Sequence, residues 1–199
     1  MKSKKGIIFI SLGLALIIGA FSLRAYNKYE EKRAGEESSQ IFSQLDGEIE
    51  EKEVDPEPAY KVEKEVVMPT VVIDGYEYIG TLKIPALDLS LPVMSTLDYP
   101  LLKKAPCRYR GSVYTDDMII GAHNYNTHFG RLKNLSYGDK IIFTDTDKNV
   151  FEYKIISIET LDSYAMDELL SGDWDLTLFT CTIGGRTRVT VRCAKLNED

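Results

Sequence analysis

Apolar and polar positions divide the chain into three stretches of different pattern. Gly6 to Leu23 (GIIFISLGLALIIGAFSL) is an uncharged, mostly apolar run of 18 residues, close to the roughly 20 that a helix needs to cross a bilayer. From about Ala25 to Val67, Glu, Lys, Ser and Gln dominate, Pro56 and Pro58 interrupt, and large apolar residues are few. Such a segment buries too little apolar area to offset the entropy of ordering, which predicts a solvated stalk. Within it, Ile41, Leu45 and Ile49 recur at i, i+4 and i+8, and this spacing predicts a helix over Ser38 to Ile49. A second reading folds Asp55-Pro56 and Tyr60 back over a site as a lid.

From Tyr76 onward, short apolar or alternating runs are separated by Gly, Pro, Asp and Asn, the pattern of an all-β domain. Eight strands are predicted: Tyr78 to Ile84, Asp88 to Val93, Gly111 to Tyr114, Met118 to Ala122, Lys140 to Thr144, Val150 to Glu159, Leu176 to Cys181 and Arg188 to Leu196. Their number favours a closed eight-stranded barrel over a sandwich. Helical signals in this part are limited to Pro100 to Lys103 and to Ala165 to Leu170, which Gly172 should end. The predicted organisation is a basic tail (1–5), a membrane-crossing helix (6–23), an acidic stalk (24–75) and a barrel (76–199).

Charge narrows the partners. The formal net charge is −7, and setting aside Lys2, Lys4 and Lys5 leaves 21 basic against 31 acidic residues, so a nucleic-acid partner is not expected. Those three lysines precede the apolar run, and no small-x-small cleavage site follows it. An uncleaved signal anchor is therefore predicted, single-pass, with the tail cytoplasmic and the barrel outside. Arg24 and Lys28 on the far side weaken that bias.

Three cysteines, Cys107, Cys181 and Cys193, are an odd number for an exported chain, so at least one thiol lacks an intrachain partner. Cys193, inside Val189 to Ala194, reads as a small buried hydrophobe. Cys107 is open, and a Cys107 to Cys193 disulfide would leave Cys181 free. Cys181 ends the apolar run Thr177-Leu178-Phe179-Thr180-Cys181, with Arg188 shortly after it, while His123 follows Met118 to Ala122. A thiol, an imidazole and a guanidinium at strand ends are the equipment of covalent acyl transfer. His128 competes with His123, and Arg186 and Arg192 compete with Arg188; strand periodicity leaves the arginines open. Thr180 is a candidate for lending a hydroxyl or N–H to the site. A cysteine phosphatase fails, because its loop needs five residues between Cys and Arg, whereas four and six separate Cys181 from Arg186 and Arg188. A zinc site on His123, His128 and a cysteine lacks paired-ligand spacing, and neither metal nor cofactor is expected.

Thr177-Leu178-Phe179-Thr180-Cys181, Gly121-Ala122-His123-Asn124 and the entry strand Tyr78-Ile79-Gly80-Thr81-Leu82-Lys83-Ile84-Pro85 resemble, in that order, motifs of the sortases, membrane-anchored cysteine transpeptidases of Gram-positive bacteria. The resemblance covers roughly residues 76 to 196. It implies an eight-stranded barrel with Cys181 as nucleophile, His123 as general acid and base, Arg188 as oxyanion stabiliser and Thr180 at the substrate. It also implies cleavage of an LPxTG-like sorting signal between Thr and Gly, then transfer to an amine of a peptidoglycan precursor or a pilin lysine. Asp55-Pro56 resembles the lid motif of class C enzymes, but Glu57 stands where an aromatic is expected, and the short segment between Glu159 and Trp174 argues against class B; the class stays open. A cysteine protease passing the acyl group to water, or a non-catalytic tethered β-domain, are the rival readings.

Overall fold

The computed structural model describes residues 4–55, 58, 60 and 67–196, so Pro56 and Glu57 of the lid reading lie outside the described residues. The chain divides into two compact units, Met1–Arg33 and Ala34–Asp199. A single helix, α1 (Lys4–Glu51), supplies the described part of the first unit and enters the second. Its apolar N-terminal stretch is long and apolar enough to cross a membrane, and Ile8, Phe9, Ile10 and Leu16 turn most of their surface outward.

Among the described residues, the second unit is built on nine strands: β1 (Val71–Ile73), β2 (Tyr76–Ile84), β3 (Leu89–Met94), β4 (Cys107–Arg110), β5 (Met118–Ala122), β6 (Lys140–Asp145), β7 (Val150–Asp162), β8 (Leu176–Cys181) and β9 (Thr187–Lys195). Their order is β1-β2-β3-β4-β5-β8-β9-β7-β6, and β6 pairs back onto β2, so eight strands close into a barrel with β1 as an outer hairpin strand. Asp74 and Gly75, both at positive φ, make the two-residue β1–β2 turn, which suits the right-handed twist of a hairpin. Period-two alternation sends Leu82, Val93, Ile120, Phe143, Leu178 and Val191 into the barrel core.

Two expectations need correction. Gly111 to Tyr114 is not a strand. The strand in that region is β4, and the chain leaves it at Gly111, whose φ of +72 and lack of a Cβ, which would meet the Asp117 carbonyl oxygen at 2.2 Å, suit a turn. The Asp117 carboxylate then accepts from the Ser112 N–H and closes a turn. The stalk does not remain a solvated spacer over its whole length. From Ala34 onward, α1 packs a stripe of Ala34, Ser38, Ile41, Leu45 and Ile49 inward, and the last three join Ile73, Tyr78, Met94, Ala105 and Cys107 in a second core outside the barrel wall. Ion pairs of Lys83 with Asp46, Lys52 with Asp147 and Lys104 with Glu37 rim this stripe. The compact unit therefore takes in the chain from Ala34, while the barrel itself starts with the strand at Tyr76. Cys193 is the buried hydrophobe expected of it, and the pairing left open resolves to two free thiols, Cys107 in the outer core and Cys193 inside the barrel. The two short helical signals hold: a turn of 3-10 helix covers Leu101–Lys103, and α2 covers Met166–Leu170 and stops before Gly172 at φ +92.

Candidate active site

Strand register builds the site. β5 and β8 run parallel, pairing Met118 with Leu176 through to Ala122 with Thr180, so both strands end at the same rim of the barrel. The next residue of one is His123 and the last residue of the other is Cys181. β9 returns antiparallel and sets Arg188 directly opposite Cys181. Neighbouring strands lie about 4.8 Å apart, so His123 and Arg188 flank the cysteine on its two sides. The Thr180 hydroxyl donates to the Ala122 carbonyl at 2.9 Å and is buried. This bond ties the β5 and β8 ends together. The Thr180 hydroxyl, a candidate for the site, is thereby turned to the strand junction.

Cys181 is exposed and free. Cys107 and Cys193 are buried, and burial pushes both thiols up to about 12, which leaves them inert as nucleophiles. The Arg188 guanidinium lies 5.9 Å from the Phe179 ring centroid, and its Nη1 donates to the Met166 thioether at 3.3 Å. Its Nε–H is buried without a hydrogen-bond partner. A buried, unpaired donor costs about 1–3 kcal/mol, a cost that an incoming oxyanion would relieve. Phe179 shares the outer face of β8 with Cys181 and rests on Gly121, where a Cβ would meet its ring at 2.6 Å; Tyr109 meets it edge-on at 6.0 Å.

The His123 ring packs on Tyr125 at 4.4 Å, and Tyr125 in turn packs on His128 at 5.6 Å. His128 is fully buried, and that burial, with the neighbouring His123, lowers its pKa to about 4. It sits behind Tyr125 as a neutral packing group and does not compete for proton transfer. Among the arginines, Arg186 is exposed in the β8–β9 loop. Arg192 faces Thr177, four residues from Cys181 along β8 and so about 13 Å away. Neither stands opposite Cys181 in the strand ladder as Arg188 does. Among the described residues, no group of three or more His, Cys, Asp or Glu side chains is placed to hold a metal ion. Sequence reasoning missed Gly121, Tyr125, Met166 and Phe179; for Phe179 the signal was available, since period two puts it on the face of Cys181.

Residues 82–196 match the sortase domain model. Solved structures of similar fold include sortase C-1 from Streptococcus pneumoniae (TM-score 0.60, 21% identity, 80% of this chain and 100% of that one). Sortase C from Clostridium perfringens, solved with the C-terminal cell wall sorting motif, is similar over 80% of this chain and 91% of that one (TM-score 0.54, 21% identity). Sortase A from Corynebacterium diphtheriae is similar over 85% of each chain (TM-score 0.54, 18% identity). No curated protein matches in sequence. At such identities the structures speak to the fold, whereas the domain match takes in more than half of the chain, with the rim where β5, β8 and β9 meet inside it: the protein belongs to the sortase family of transpeptidases, its class unassigned.

Proposed function

We propose that this chain is a membrane-anchored cysteine transpeptidase that cleaves an LPxTG-like sorting signal between Thr and Gly and passes the acyl group to an amine. The observation that carries the reading is an exposed thiol at a strand end, directly opposite an arginine whose Nε–H has no partner and beside the strand that ends at His123. The Cys181 thiolate attacks the Thr carbonyl carbon, and the carbonyl electron pair moves to oxygen. Arg188 stabilises that oxyanion through a charge-assisted hydrogen bond. His123 gives a proton to the departing glycine nitrogen as the C–N bond breaks, leaving a thioester on Cys181. An incoming amine, deprotonated by the same imidazole, attacks the thioester, and the thiolate leaves. Because the thioester conserves the bond energy, no ATP is consumed. Thr180 keeps the two strand ends in register during these steps.

The apolar start of α1 serves as the single membrane anchor. Lys2, Lys4 and Lys5 hold its N-terminus in the cytoplasm, which puts the barrel outside. There, sorting signals of exported proteins meet an amine from a peptidoglycan precursor or a pilin lysine.

The test is mass spectrometry of the full chain in detergent micelles, incubated with LPxTG-type peptides with and without an added amine, beside Cys181→Ala. The reading expects Thr–Gly cleavage, an acyl adduct on Cys181 and an amine-dependent ligated product, all absent from the variant. Cleavage that ignores the amine would make the chain a protease, and no adduct with any peptide in the panel would defeat the reading.

A further inference from the structure

One charged side chain is buried on the same wall and does no chemistry at the thiol. Arg192 lies on β9, four residues beyond Arg188 on the same outer face, and is only 2% exposed. Each nitrogen of its guanidinium donates. Nε donates to Glu159 at 2.8 Å, Nη1 to the Leu169 carbonyl at 2.8 Å and to Thr177 Oγ1 at 3.1 Å, and Nη2 to the Glu168 carbonyl at 2.7 Å. Trp174 covers it, with its ring 5.7 Å from the guanidinium carbon. One side chain thus ties β7, β8 and the carbonyl end of α2 to β9.

Burying a guanidinium costs several kcal/mol of lost hydration, and an apolar residue would pack the same space without that cost. What an apolar residue cannot do is donate to the last carbonyls of α2, which have no partner within their own helix and favour a cation. The first residue of that helix is Met166, whose thioether receives Arg188 Nη1. A second tie at this upper end, from the Ser163 N–H to the Arg186 carbonyl at 3.0 Å, joins the β7–β8 connection to the loop that delivers Arg188.

We propose that Arg192 is a positioning residue for acyl transfer: by seating α2 on the barrel wall, it holds Met166 against Arg188 and so fixes the Arg188 guanidinium beside Cys181. The chain of contacts runs Arg192, α2 carbonyls, Met166, Arg188, and it ends opposite the thiol. This rests on the transpeptidase reading for its purpose, though not for its geometry.

The experiment uses the full chain in detergent micelles and two probes that need no peptide substrate. Iodoacetate and iodoacetamide alkylate the same thiolate, so the ratio of their rates at one pH cancels the thiolate fraction and reads the positive charge nearby. Cys181 is the exposed thiol, whereas Cys107 and Cys193 are buried. Trp174, the single tryptophan, reports whether the arm stays seated. Arg188→Met sets the scale by lowering the iodoacetate preference several-fold. Arg192→Met is expected to lower it comparably and to shift Trp174 emission, with Arg192→Lys restoring part of both. Met166→Leu is expected to lower the preference without moving Trp174 emission, and it carries the test if Arg192→Met does not fold. With an active peptide, Arg192→Met should lower kcat by about tenfold or more and leave KM nearly unchanged, since loss of an oxyanion donor costs on the order of a hundredfold. A shifted Trp174 emission with an unchanged alkylation ratio would overturn the proposal, as would a wild-type ratio in Met166→Leu. A wild-type chain that turns over no peptide defeats the transpeptidase reading alone, because the alkylation ratio still decides this one.

Discussion

Leu45 distinguishes a packed helix from a solvated stalk. It is 0% exposed, at the centre of the stripe formed with Ile41 and Ile49, against Tyr78, Met94 and Cys107 on the barrel wall. Full burial of one such side chain contributes roughly 1.5–3 kcal/mol, so the three together contribute roughly 5–9 kcal/mol. That is comparable with the whole stability of a typical domain, about 5–15 kcal/mol. Leu45→Ala removes apolar contacts and leaves a cavity, a change that costs about 2–5 kcal/mol in buried cores. At roughly 2–4 °C per kcal/mol for a unit of this size, the melting temperature should fall by about 10 °C. The assay is thermal unfolding of the full chain in micelles followed by Trp174 fluorescence, with Gln44→Ala on the exposed face as control, expected within about 0.5 kcal/mol of wild type. The same reasoning predicts that a chain begun at residue 70 loses most of its cooperativity, whereas one begun at Ala34 keeps it. Equal melting of Leu45→Ala and Gln44→Ala would refute the packing and restore the solvated spacer.

Two further outcomes follow from the site. Thr180→Val keeps the side-chain volume but deprives the Ala122 carbonyl of its donor, which should cost about 1–3 kcal/mol; because that bond joins the ends carrying His123 and Cys181, acyl transfer should fall further than stability alone explains, as read by kcat at a temperature well below unfolding. His128 has its pKa lowered to about 4 by burial and by the nearby His123, against about 6.5 when unfolded, so the unfolded chain binds the proton first as pH falls. Its stabilisation is complete above pH 6.5 and is lost toward pH 4, by up to about 3 kcal/mol; denaturant titrations of His128→Phe should show a flatter dependence in that window, and an unchanged slope would remove His128 as the cause.

Much of this was legible in the sequence because period two survives in most strands. β5 and β8 are near-continuous apolar runs, one followed by His123 and the other ending in Cys181, and β9 carries Arg188 at its start, so the candidate residues stand out at run ends. β4 was not legible: of Cys107-Arg108-Tyr109-Arg110 only Cys107 is buried, and a strand with one core residue and two arginines carries no apolar signature. The packed half of α1 was masked by averaging, since one buried residue per turn among Glu, Ser and Gln leaves the composition of a solvated segment. The i, i+4, i+8 spacing did mark the face, but not the barrel wall that covers it. The roles of Thr180 and Arg192 depend on β5–β8 adjacency and on where α2 docks, and no local pattern encodes either.

That adjacency explains why one rim holds the chemistry. Most neighbouring strands here are antiparallel, and an antiparallel neighbour of β8 begins where β8 ends, which brings in Arg188 from the nearby β9. Only a parallel neighbour ends where β8 ends, and β5 is that neighbour, its crossover to β8 consisting of β6, β7 and α2. His123 and Cys181, distant in sequence, are therefore consecutive along the rim because one pair of strands runs the same way. The register of that pair is as important as its direction, because a slip of one residue would turn Cys181 into the barrel and Thr180 out. Thr180 opposes such a slip from the inside through the Ala122 carbonyl, and Phe179 opposes it from the outside by resting on Gly121, the position where a side chain would collide with it. The two residues before Cys181 thus act on opposite faces of one strand toward the same end, which is to hold the thiol outward on a rim it shares with His123 and Arg188.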